Sequence, residues 1–510
     1  MIDPGSWAAP RLASYGAVLR RPVDAASAAA FRILFGLVLL GGITRFLSEG
    51  WVEILYVEPQ VFFKYWGFSW VQVWPQWGMY AHYAVLFALA LAITLGYRTR
   101  LAAALFFLGF TYVELMDVTN YLNHYYLVSI VSLLIVFLPL DRVWSLEARR
   151  RPTLAPPAIP VWVLYILRLQ VGIVYVNAGL AKLGSDWLLH AQPLGIWLGA
   201  RTETPLIGPW LDMPWVPYVL SWAGFLYDCT IVFALSWRRT RIVAYGFVLC
   251  FHFMTHVFFD IGIFPFLMTG LTTIFFEPDW PRRLLRLLRV ESPRAMQYEP
   301  LAPLGRIATR LGIAACAVFF AVQILMPLRH WLYPGDVLWN EQGMRWAWKV
   351  MVREKNGSIT YHVRERETGR TWQVSPTRYL TWRQAKEMAG QPDLILQLAH
   401  HIAADLRDRG LHDPEVRVEA WVSLNGRPAA LMIDPAVDLT RVSDGLAPAR
   451  WILPAPVEPP LAVDNAQRRA AAGRAATDVR SMLSRVLGWE SAHSPGPVSA
   501  GRSGPPSTYQ

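Results

Sequence analysis

Charged residues are scarce in this chain of 510 amino acids. They make up 17% of the sequence, against about 25% in an average soluble domain. Hydrophobic residues reach 54% and aromatic residues 13%. This balance excludes an entirely soluble protein and indicates a polytopic membrane protein with a soluble part attached.

Cysteine and histidine are also few, which narrows the chemistry. Cys229, Cys250 and Cys316 all lie in apolar runs, so neither a disulfide framework nor a CxxC metal site is available. His252 and His256 are four residues apart and could share an ion on one helix face. The eleven histidines are otherwise scattered, unlike the histidine boxes of membrane di-metal oxygenases. We therefore expect no metal site.

Phosphate-binding motifs are missing, since the chain contains neither a Walker loop nor a GxGxxG sequence. The formal net charge of +11 does not indicate a nucleic-acid partner either. The arginines stand in short clusters between apolar runs, which is the pattern of membrane-topology signals. The expected surroundings are therefore a lipid bilayer, and no nucleic-acid partner is predicted.

Apolar runs predict a polytopic α-helical membrane protein with eight or nine transmembrane helices, since a span needs about 20 residues. The runs lie at 27–46, 79–97, 101–116, 121–140, 160–182, 214–236, 241–258, 261–276 and 307–327. Arginine clusters follow every second run. With these clusters in the cytoplasm, we predict a multi-pass protein of the cell inner membrane, with a cytoplasmic N-terminal segment at 1–26. Nine spans within 27–328 would leave the following chain outside the cytoplasm.

A small, strand-rich α+β extracytoplasmic domain is predicted at 329–457. Hydrophobic alternation and turn residues predict strands at 345–354, 358–364, 371–374, 415–423 and 429–433. Asn425-Gly426 is a strong hairpin signal. Amphipathic patterns predict helices at 381–389 and 393–409. The tail, 458–510, is rich in small residues, proline and arginine, and we expect it to be flexible apart from one short helix at 465–487.

Lys182 is the most unusual residue of the membrane part, because it ends the apolar run QVGIVYVNAGLAK. An ionisable residue at membrane depth is a functional-site hypothesis by default. The alternative is that the lysine side chain extends to the lipid headgroups. Arg168 and Tyr175 share a helix stripe with Lys182 at intervals of seven residues, although Arg168 could instead form a structural ion pair with Asp228 or Glu114.

His124 approaches the same outer face as Lys182 on the predicted topology, and so does the end of the run that contains His256. His124, which follows Asn120 and Asn123, could instead merely satisfy a helix end. A pocket at the outer face, open to the soluble domain, is the simplest explanation that covers all three residues.

The chain resembles the vitamin K-dependent γ-glutamyl carboxylases and their bacterial relatives with a horizontally transferred transmembrane (HTTM) domain. The matches cover the membrane part and the first part of the soluble domain, in the family's order. They are FRILFG at 31–36, DVTNYLNHYYL at 117–127, YVNAGLAKLGSDW at 175–187, FHFM at 251–254, IGIF at 261–264, EPDWPR at 277–282, WAWKVM at 346–351, WVSLNGR at 421–427 and DPAVD at 434–438. Several ordered matches are more specific than any single motif.

The resemblance implies an activity. Reduced vitamin K or menaquinol is oxidised by O2 to the epoxide, and this drives the addition of CO2 to a glutamate of a peptide or protein. Lys182 falls on the lysine that deprotonates the hydroquinone, and His124 falls on the catalytic histidine. A lysine can act as a base only when its amine is neutral, and burial among apolar residues favours that form.

The resemblance also implies contacts to both substrates. The expected quinone contacts are Phe264, Met268, His252 and Tyr175. The expected contacts to the glutamate are Trp348, Trp346, Arg168 and Asn123. The lipid-soluble quinone, the glutamate-containing peptide and the bilayer are therefore the predicted partners.

The sequence departs from the animal members of the family at several positions. Ala181 replaces a second lysine, Gly184 replaces an acidic residue, and Met344 or Trp346 stands where those enzymes have a tyrosine. Their long C-terminal region has no counterpart, so recognition of a substrate propeptide is not expected. Two other functions stay open: a quinone-dependent membrane oxidoreductase or epoxidase that has lost carboxylation, and a non-enzymatic membrane scaffold or transporter.

Overall fold

The computed structural model describes residues 18–150, 157–202, 204–205, 207–259, 261–290 and 305–461. Its first part is almost entirely helical. The α-helices are α1 (Ala26–Ser48), α2 (Gln76–Leu95), α3 (Thr99–Glu114), α4 (Asn123–Phe137), α5 (Leu146–Arg150), α6 (Trp162–Leu180), α7 (Ser185–Leu188), α8 (Leu194–Gly199), α9 (Gly208–Leu211), α10 (Val216–Ser236), α11 (Arg241–Phe258), α12 (Phe264–Leu271), α13 (Trp280–Leu287) and α14 (Arg306–Leu328). Strands β1 (Pro22–Asp24) and β2 (Ala158–Pro160) form a short antiparallel pair. The helix predicted at 465–487 lies outside the described residues.

Six of these helices are long and apolar enough to cross a membrane, namely α1, α2, α6, α10, α11 and α14. Helix α4 and the segment Phe264–Phe275 are apolar but shorter. The helices follow the predicted runs closely, because a helix satisfies its own backbone hydrogen bonds along an apolar sequence in lipid. The structure supports a helical membrane protein with a small C-terminal sheet, whereas the count of eight or nine spans stays a prediction.

Arg32 is a wholly buried charge of α1 that serves the fold. Its guanidinium donates to the carbonyl oxygens of Ile93, Thr94, Leu140 and Trp144 at 2.5–3.1 Å. These carbonyls belong to the end of α2 and to the chain after α4. Because an arginine has five N–H donors in a fixed fork, one buried side chain can tie several chain ends together.

Four helices, α6, α10, α11 and α12, pack around one region of the membrane domain. Helix α10 packs against both α6 and α11, and α11 also packs against α12. Helix α12 in turn lies on α1. This arrangement leaves an apolar space between α6, α10, α11 and α12.

The chain after α14 folds into the soluble domain, which is built on a four-stranded antiparallel sheet of order β4–β3–β5–β6. Its elements are α15 (Val337–Asn340), β3 (Lys355–Glu365), β4 (Thr371–Val374), α16 (Trp382–Ala389), α17 (Pro392–Asp408), β5 (Pro414–Leu424) and β6 (Ala430–Leu431). Strand β3 pairs with β5 along its whole length. Thr381 and Gln384 form a capping box that begins α16. Asn425 and Gly426 both have a positive φ, as the predicted hairpin turn requires.

The strand predicted at 345–354 is wrong, because this segment is a series of turns. Trp346, Trp348 and Met351 have φ values of 60°, 54° and 53°, in the left-handed region. Trp348 packs in the membrane core, Val352 in a cluster near α8, and Trp346 against the core of the soluble domain. A strand directs its side chains to only two opposite faces. Because the apolar side chains of this segment enter three clusters, its backbone must turn.

The soluble domain rests on the aromatic-rich connection between α1 and α2. Phe63 and Tyr65 of this connection are buried in the core of the soluble domain. The Gln384 side-chain amide donates to the carbonyl oxygen of Val61 and to the carboxylate of Asp117, at 2.8 and 2.9 Å. The soluble domain therefore sits against the end of the helical domain at which α4 begins.

Candidate functional site

A large cavity, with a volume of about 750 Å³, lies between α6, α10, α11 and α12. Its walls are mostly apolar. They include Phe264 and Met268 from α12, Leu226 and Ile231 from α10, and Val350 and Met351 from the soluble domain. Ligand sites of small molecules are typically apolar spaces of roughly this size with a few polar groups. The polar groups of this cavity are therefore the first candidates for chemistry.

Lys182 follows the end of α6 and lies in the wall of the large cavity. Its side chain is only 6% exposed, so the lysine does not extend to the headgroups. The amine donates to Asp228 Oδ2 at 2.8 Å, to the Ala178 carbonyl oxygen at 3.2 Å and to the Val350 carbonyl oxygen at 3.5 Å. It also lies 5.2 Å from the centre of the Trp187 ring. Lys182 and Asp228 thus form a buried ion pair in an apolar wall.

Gly179 permits the close approach of α6 and α10 that brings this pair together. A Cβ atom at this position would lie 2.6 Å from Cys229 Sγ and 3.0 Å from the Cys229 backbone nitrogen. Real Cβ atoms do not make such contacts, so only glycine fits here. Because Cys229 follows Asp228 directly, the missing side chain of Gly179 sets the distance between Asp228 and Lys182.

The four residues expected to contact a quinone all line the large cavity. Phe264 and Met268 contribute apolar surface from α12. The Tyr175 hydroxyl is hydrogen-bonded to His252 Nε2 at 2.9 Å and lies 3.3 Å from the Tyr227 hydroxyl. The cavity thus combines flat apolar surfaces with hydroxyl and imidazole groups that can exchange hydrogen bonds with a quinone oxygen. Their role stays a prediction.

His124 lies at the start of α4 and lines a small cavity of about 90 Å³. Glu114, Arg45, Asn120 and, from the soluble domain, Arg383 line the same space. Asn120 is 7% exposed, and neither polar atom of its amide has a hydrogen-bond partner among the described residues. An unpartnered buried amide is costly, by about 1–3 kcal/mol for each group. The small cavity is therefore suited to a small polar group.

The segment 261–264 borders both cavities. Ile261 and Phe264 line the large cavity, whereas Gly262 and Ile263 line the small one. Gly262 has a φ of +58° and lies so close to His124 that a Cβ added to it would be 3.6 Å from the imidazole Nε2. The His124 and Phe264 ring centres are 6.0 Å apart. The rings of His124, in the wall of the small cavity, and Phe264, in the wall of the large one, are therefore neighbours.

Three of the residues expected to contact a glutamate lie at or near the start of α4, outside the walls of both cavities. The Tyr121 hydroxyl accepts from the Trp346 backbone N–H at 2.7 Å and donates to Asn123 Oδ1 at 3.0 Å. The Trp348 ring lies 5.0 Å from that of Tyr126 and is almost completely buried. The structure therefore brings Trp346 and Trp348 to the first turns of α4, where Asn123 also lies, and their role stays a prediction.

Arg168 lies apart from the other expected site residues. It belongs to the first half of α6, two turns before Tyr175, and it lines neither cavity. Its guanidinium donates to the carbonyl oxygens of Ile274 and Phe276, at 2.9 and 3.1 Å. The alternative considered for Arg168, an ion pair with Asp228 or Glu114, is wrong, because the carbonyl oxygens of Ile274 and Phe276 satisfy this side chain. Its role toward a glutamate stays a prediction.

His252 and His256 are engaged in separate contacts. His252 Nε2 is bonded to Tyr175, and the His256 ring packs on Phe266 with ring centres 4.9 Å apart. Within the described ranges, no group of three histidine, cysteine, aspartate or glutamate side chains could hold a metal ion.

Sequence reasoning missed the partners of Lys182. A cation partner for Asp228 could be expected, because a carboxylate in an apolar run needs a cation nearby. The sequence did not show whether that cation is Lys182 or Arg168. The Val350 carbonyl carried no signal at all, because its position depends on the turns of the segment before β3.

Two family models match the chain. Residues 20–280 match the HTTM domain, and residues 308–458 match the lumenal domain of vitamin K-dependent gamma-carboxylase. No solved structure matches the chain. The first match covers half of the chain and includes Lys182, Asp228, His124 and Phe264, and the second includes Val350. The chain therefore belongs to the vitamin K-dependent gamma-carboxylase family.

Proposed function

We propose that the protein is an integral membrane enzyme that oxidises a naphthohydroquinone with O2 to its epoxide and couples this oxidation to the carboxylation of a peptide glutamate. The observation that carries the proposal is the buried Lys182 amine in the wall of an apolar cavity of about 750 Å³. A buried amine with a carboxylate partner is suited to move a proton at a place from which water is excluded.

The large cavity fits a reduced naphthoquinone, which is consumed as a substrate in each turnover. Phe264 and Met268 offer apolar contact to its rings, and the hydrogen-bonded Tyr175 and His252 can hold one of its oxygens. Lys182 can take a proton from the other. Reduced vitamin K and menaquinol are both of this class, and the arginine- and alanine-rich composition favours a bacterial menaquinol.

The small cavity supports the carboxylation half of the proposal. It offers Asn120 and Arg383 to a carboxylate, and it shares the wall segment 261–264 with the large cavity. Arg383 belongs to the soluble domain, from whose side a peptide would arrive. His124 stands at this wall and can stabilise the negative charge that develops on a glutamate side chain when its proton is removed.

The proposed location is the cell inner membrane, with the N-terminus in the cytoplasm and the soluble domain outside. Two ion pairs, the buried Arg282–Asp24 and the partly exposed Arg241–Glu277, mark the end of the helical domain opposite Lys182. Exposed arginines cluster at that end, at 238–239 and 283–289. Cytoplasmic loops carry such an excess of basic residues.

A quinone-dependent oxidoreductase or epoxidase without carboxylation is the second candidate. Ala181 and Gly184 favour it, since animal carboxylases have charged residues there. A non-enzymatic scaffold is less well supported, because a buried Lys182–Asp228 pair costs desolvation energy that a scaffold could avoid with apolar residues.

The decisive experiment supplies purified protein with reduced menaquinone, O2, labelled CO2 and a glutamate-containing peptide, and measures epoxide and incorporated label. Lys182→Ala should lower epoxide formation about 100- to 10,000-fold, the usual contribution of a general base. The matched control is Lys386→Ala, which changes an exposed lysine of the soluble domain and should leave the rate unchanged. Formation of epoxide without incorporation of label would contradict carboxylation and support an epoxidase that lacks it. Equal rates in the Lys182→Ala variant and the parent would refute both enzymatic functions.

His124→Ala separates the two half-reactions. Because His124 lines the small cavity and not the large one, we expect label incorporation to fall at least about 100-fold while epoxide formation stays within about threefold of the parent. Equal losses of both products would contradict the assignment of His124 to the glutamate side.

A further inference from the structure

The surroundings of Lys182 hold a charged amine. An ammonium has three N–H donors and no acceptor. Its three neighbours here, Asp228 Oδ2 and the carbonyl oxygens of Ala178 and Val350, are all acceptors. Two of them are at 2.8 and 3.2 Å, and the side chains of the ion pair are each 6% exposed. A base, however, must start without this proton, so another group has to receive it.

We propose that Asp228 receives this proton, so that the Lys182–Asp228 pair, rather than the lysine alone, deprotonates the hydroquinone. The inference rests on the proposed function, because it concerns the same substrate in the same cavity. Asp228 acts through Lys182 and is in this sense a positioning residue that also stores a proton.

The step conserves charge and moves no electrons. The proton on the Lys182 N–H that faces Asp228 passes to Oδ2, while the hydroquinone O–H bond breaks and its proton passes to Nζ. Before the step there is an ammonium, a carboxylate and a neutral hydroquinone. Afterwards there is an ammonium, a neutral carboxylic acid and a hydroquinone monoanion. The new anion lies beside the lysine cation, and their attraction is strong in an apolar cavity.

Among the described residues, no other charged group around the large cavity forms an ion pair with the Asp228 carboxylate. Besides Lys182, the titratable or charged side chains near it are Tyr175 of α6, His252 and Cys250 of α11, Tyr227 and Cys229 of α10, and Arg239. Arg239 is eleven residues further along the chain, about 16 Å away if α10 continued as a helix. Helices α7 and α8 contribute apolar or indole side chains, and the soluble domain contributes Val350 and Met351. In the described part of the chain, Lys182 is the cation bonded to this carboxylate.

The acid limb of the pH–rate profile for epoxide formation tests the proposal. In the parent, this limb should follow protonation of the Asp228 carboxylate. Asp228→Asn keeps an oxygen for Lys182 but cannot store a proton, so the limb should follow the amine alone. Because carboxyl groups titrate at lower pH than amines, the limb should move by about one pH unit or more toward alkaline pH. At the alkaline plateau the rate should stay within about tenfold of the parent.

A role of Asp228 as a mere counter-charge predicts the opposite shift. A carboxylate beside an amine favours the charged amine, so its removal would then extend activity toward acid pH. Asp228→Cys is a second test variant, because an ordinary thiol has a pKa of about 8.5, between those of a carboxyl group and an amine. Its acid limb should lie between the limbs of the parent and of the asparagine variant. The cysteine variant also decides the question if the asparagine variant fails to fold.

The matched control is Asp24→Asn, which breaks the buried Asp24–Arg282 pair of 2.8 Å near the other end of α6 and should not move the limb. An acid shift, or no shift, in the Asp228 variants would overturn the proposal while epoxide formation by the parent still supports the enzyme function. A parent protein that forms no epoxide at any pH would overturn both.

Discussion

Lys182 and Asp228 are bonded in a wall from which water is excluded, so each charge depends on the other. Taking one partner away leaves an uncompensated buried charge, which typically costs 3–5 kcal/mol, about as much as a marginal domain can lose. Replacing both partners by apolar residues is often neutral. The two kinds of change therefore separate the contribution of this pair to stability from its contribution to chemistry.

Lys182→Met should lower the free energy of unfolding by about 3–5 kcal/mol, because it leaves the Asp228 carboxylate buried alone. The double variant Lys182→Met with Asp228→Leu should regain most of this loss. Neither variant should form epoxide. Thermal unfolding in detergent, followed by tryptophan fluorescence, measures the difference. A double variant no more stable than the single one would show that the pair is not the source of the cost.

Lys355 of the soluble domain is a second buried lysine, and it gives stability a dependence on pH. Its amine donates to the carbonyl oxygens of Trp339 and Gly390 and to Glu341, and the side chain is 2% exposed. Burial lowers the pKa of Lys355 from 10.5 to about 8, with Arg353 acting in the same direction and Glu341 against it. Between these two values the unfolded chain binds more protons than the folded chain.

Stability should therefore rise as the pH is raised from about 8 toward 10.5, by on the order of 3 kcal/mol from this group, and should show no contribution to the slope from it below pH 8. Comparing the parent with Lys355→Met in chemical denaturation at several pH values isolates this effect. Lys386→Met, at an exposed position, is the control and should keep the slope of the parent. Identical slopes in the parent and Lys355→Met would contradict the prediction.

At the scale of elements, the contact between α6 and α10 positions the site. Gly179→Ala would drive a Cβ into Cys229, so the two helices must separate. Overpacking of this kind typically costs 1–3 kcal/mol. Since Asp228 moves with Cys229, we expect epoxide formation to fall at least about tenfold as well, because small displacements of reacting groups are costly.

Gly172→Ala is the matched control on the same helix. A Cβ at Gly172 would meet Val232 Cγ1 at 3.4 Å, which is close to ordinary van der Waals contact. This variant should keep stability to within about 1 kcal/mol and retain turnover. Equal effects of the two substitutions would show that the distance between the helices at Lys182 is not critical.

At the scale of the whole molecule, the soluble domain completes the lysine site. Arg427, at the turn between β5 and β6, forms two hydrogen bonds of 2.6 Å with the Asp186 carboxylate, and Asn425 donates to the same carboxylate at 2.9 Å. Asp186 is four residues after Lys182, and the hydrogen bond from Arg427 to Asp186 raises the pKa of Arg427. The segment before β3 adds the Val350 carbonyl. The two domains therefore hold the amine from both sides.

Arg427→Ala should release the segment that follows Lys182. We expect a loss of about 2 kcal/mol for the charged hydrogen bonds and a fall in epoxide formation of at least about tenfold. Arg409→Ala removes an exposed pair with Asp405 in the same domain and should change neither quantity appreciably. Full turnover in Arg427→Ala would show that the helical domain positions Lys182 without help.

The sequence by itself determined the regular elements. Long apolar runs became helices because a helix is the structure that satisfies its backbone in lipid, and the hairpin between β5 and β6 followed its turn residues, Asn425 and Gly426. It also predicted that Lys182 and His124 approach the same outer face of the membrane, because the arginine clusters set the topology of the apolar runs.

Only the tertiary structure decided which groups meet. Asp228 is 46 residues from Lys182 in sequence, and its choice of Lys182 over Arg168 depends on the close approach that Gly179 allows. Arg168 meets carbonyls more than 100 residues away. The segment at 345–354 alternates like a strand, yet it turns because its side chains enter three separate clusters. The local sequence pattern indicates whether a segment forms a helix or a strand, whereas long-range packing decides which groups each side chain contacts.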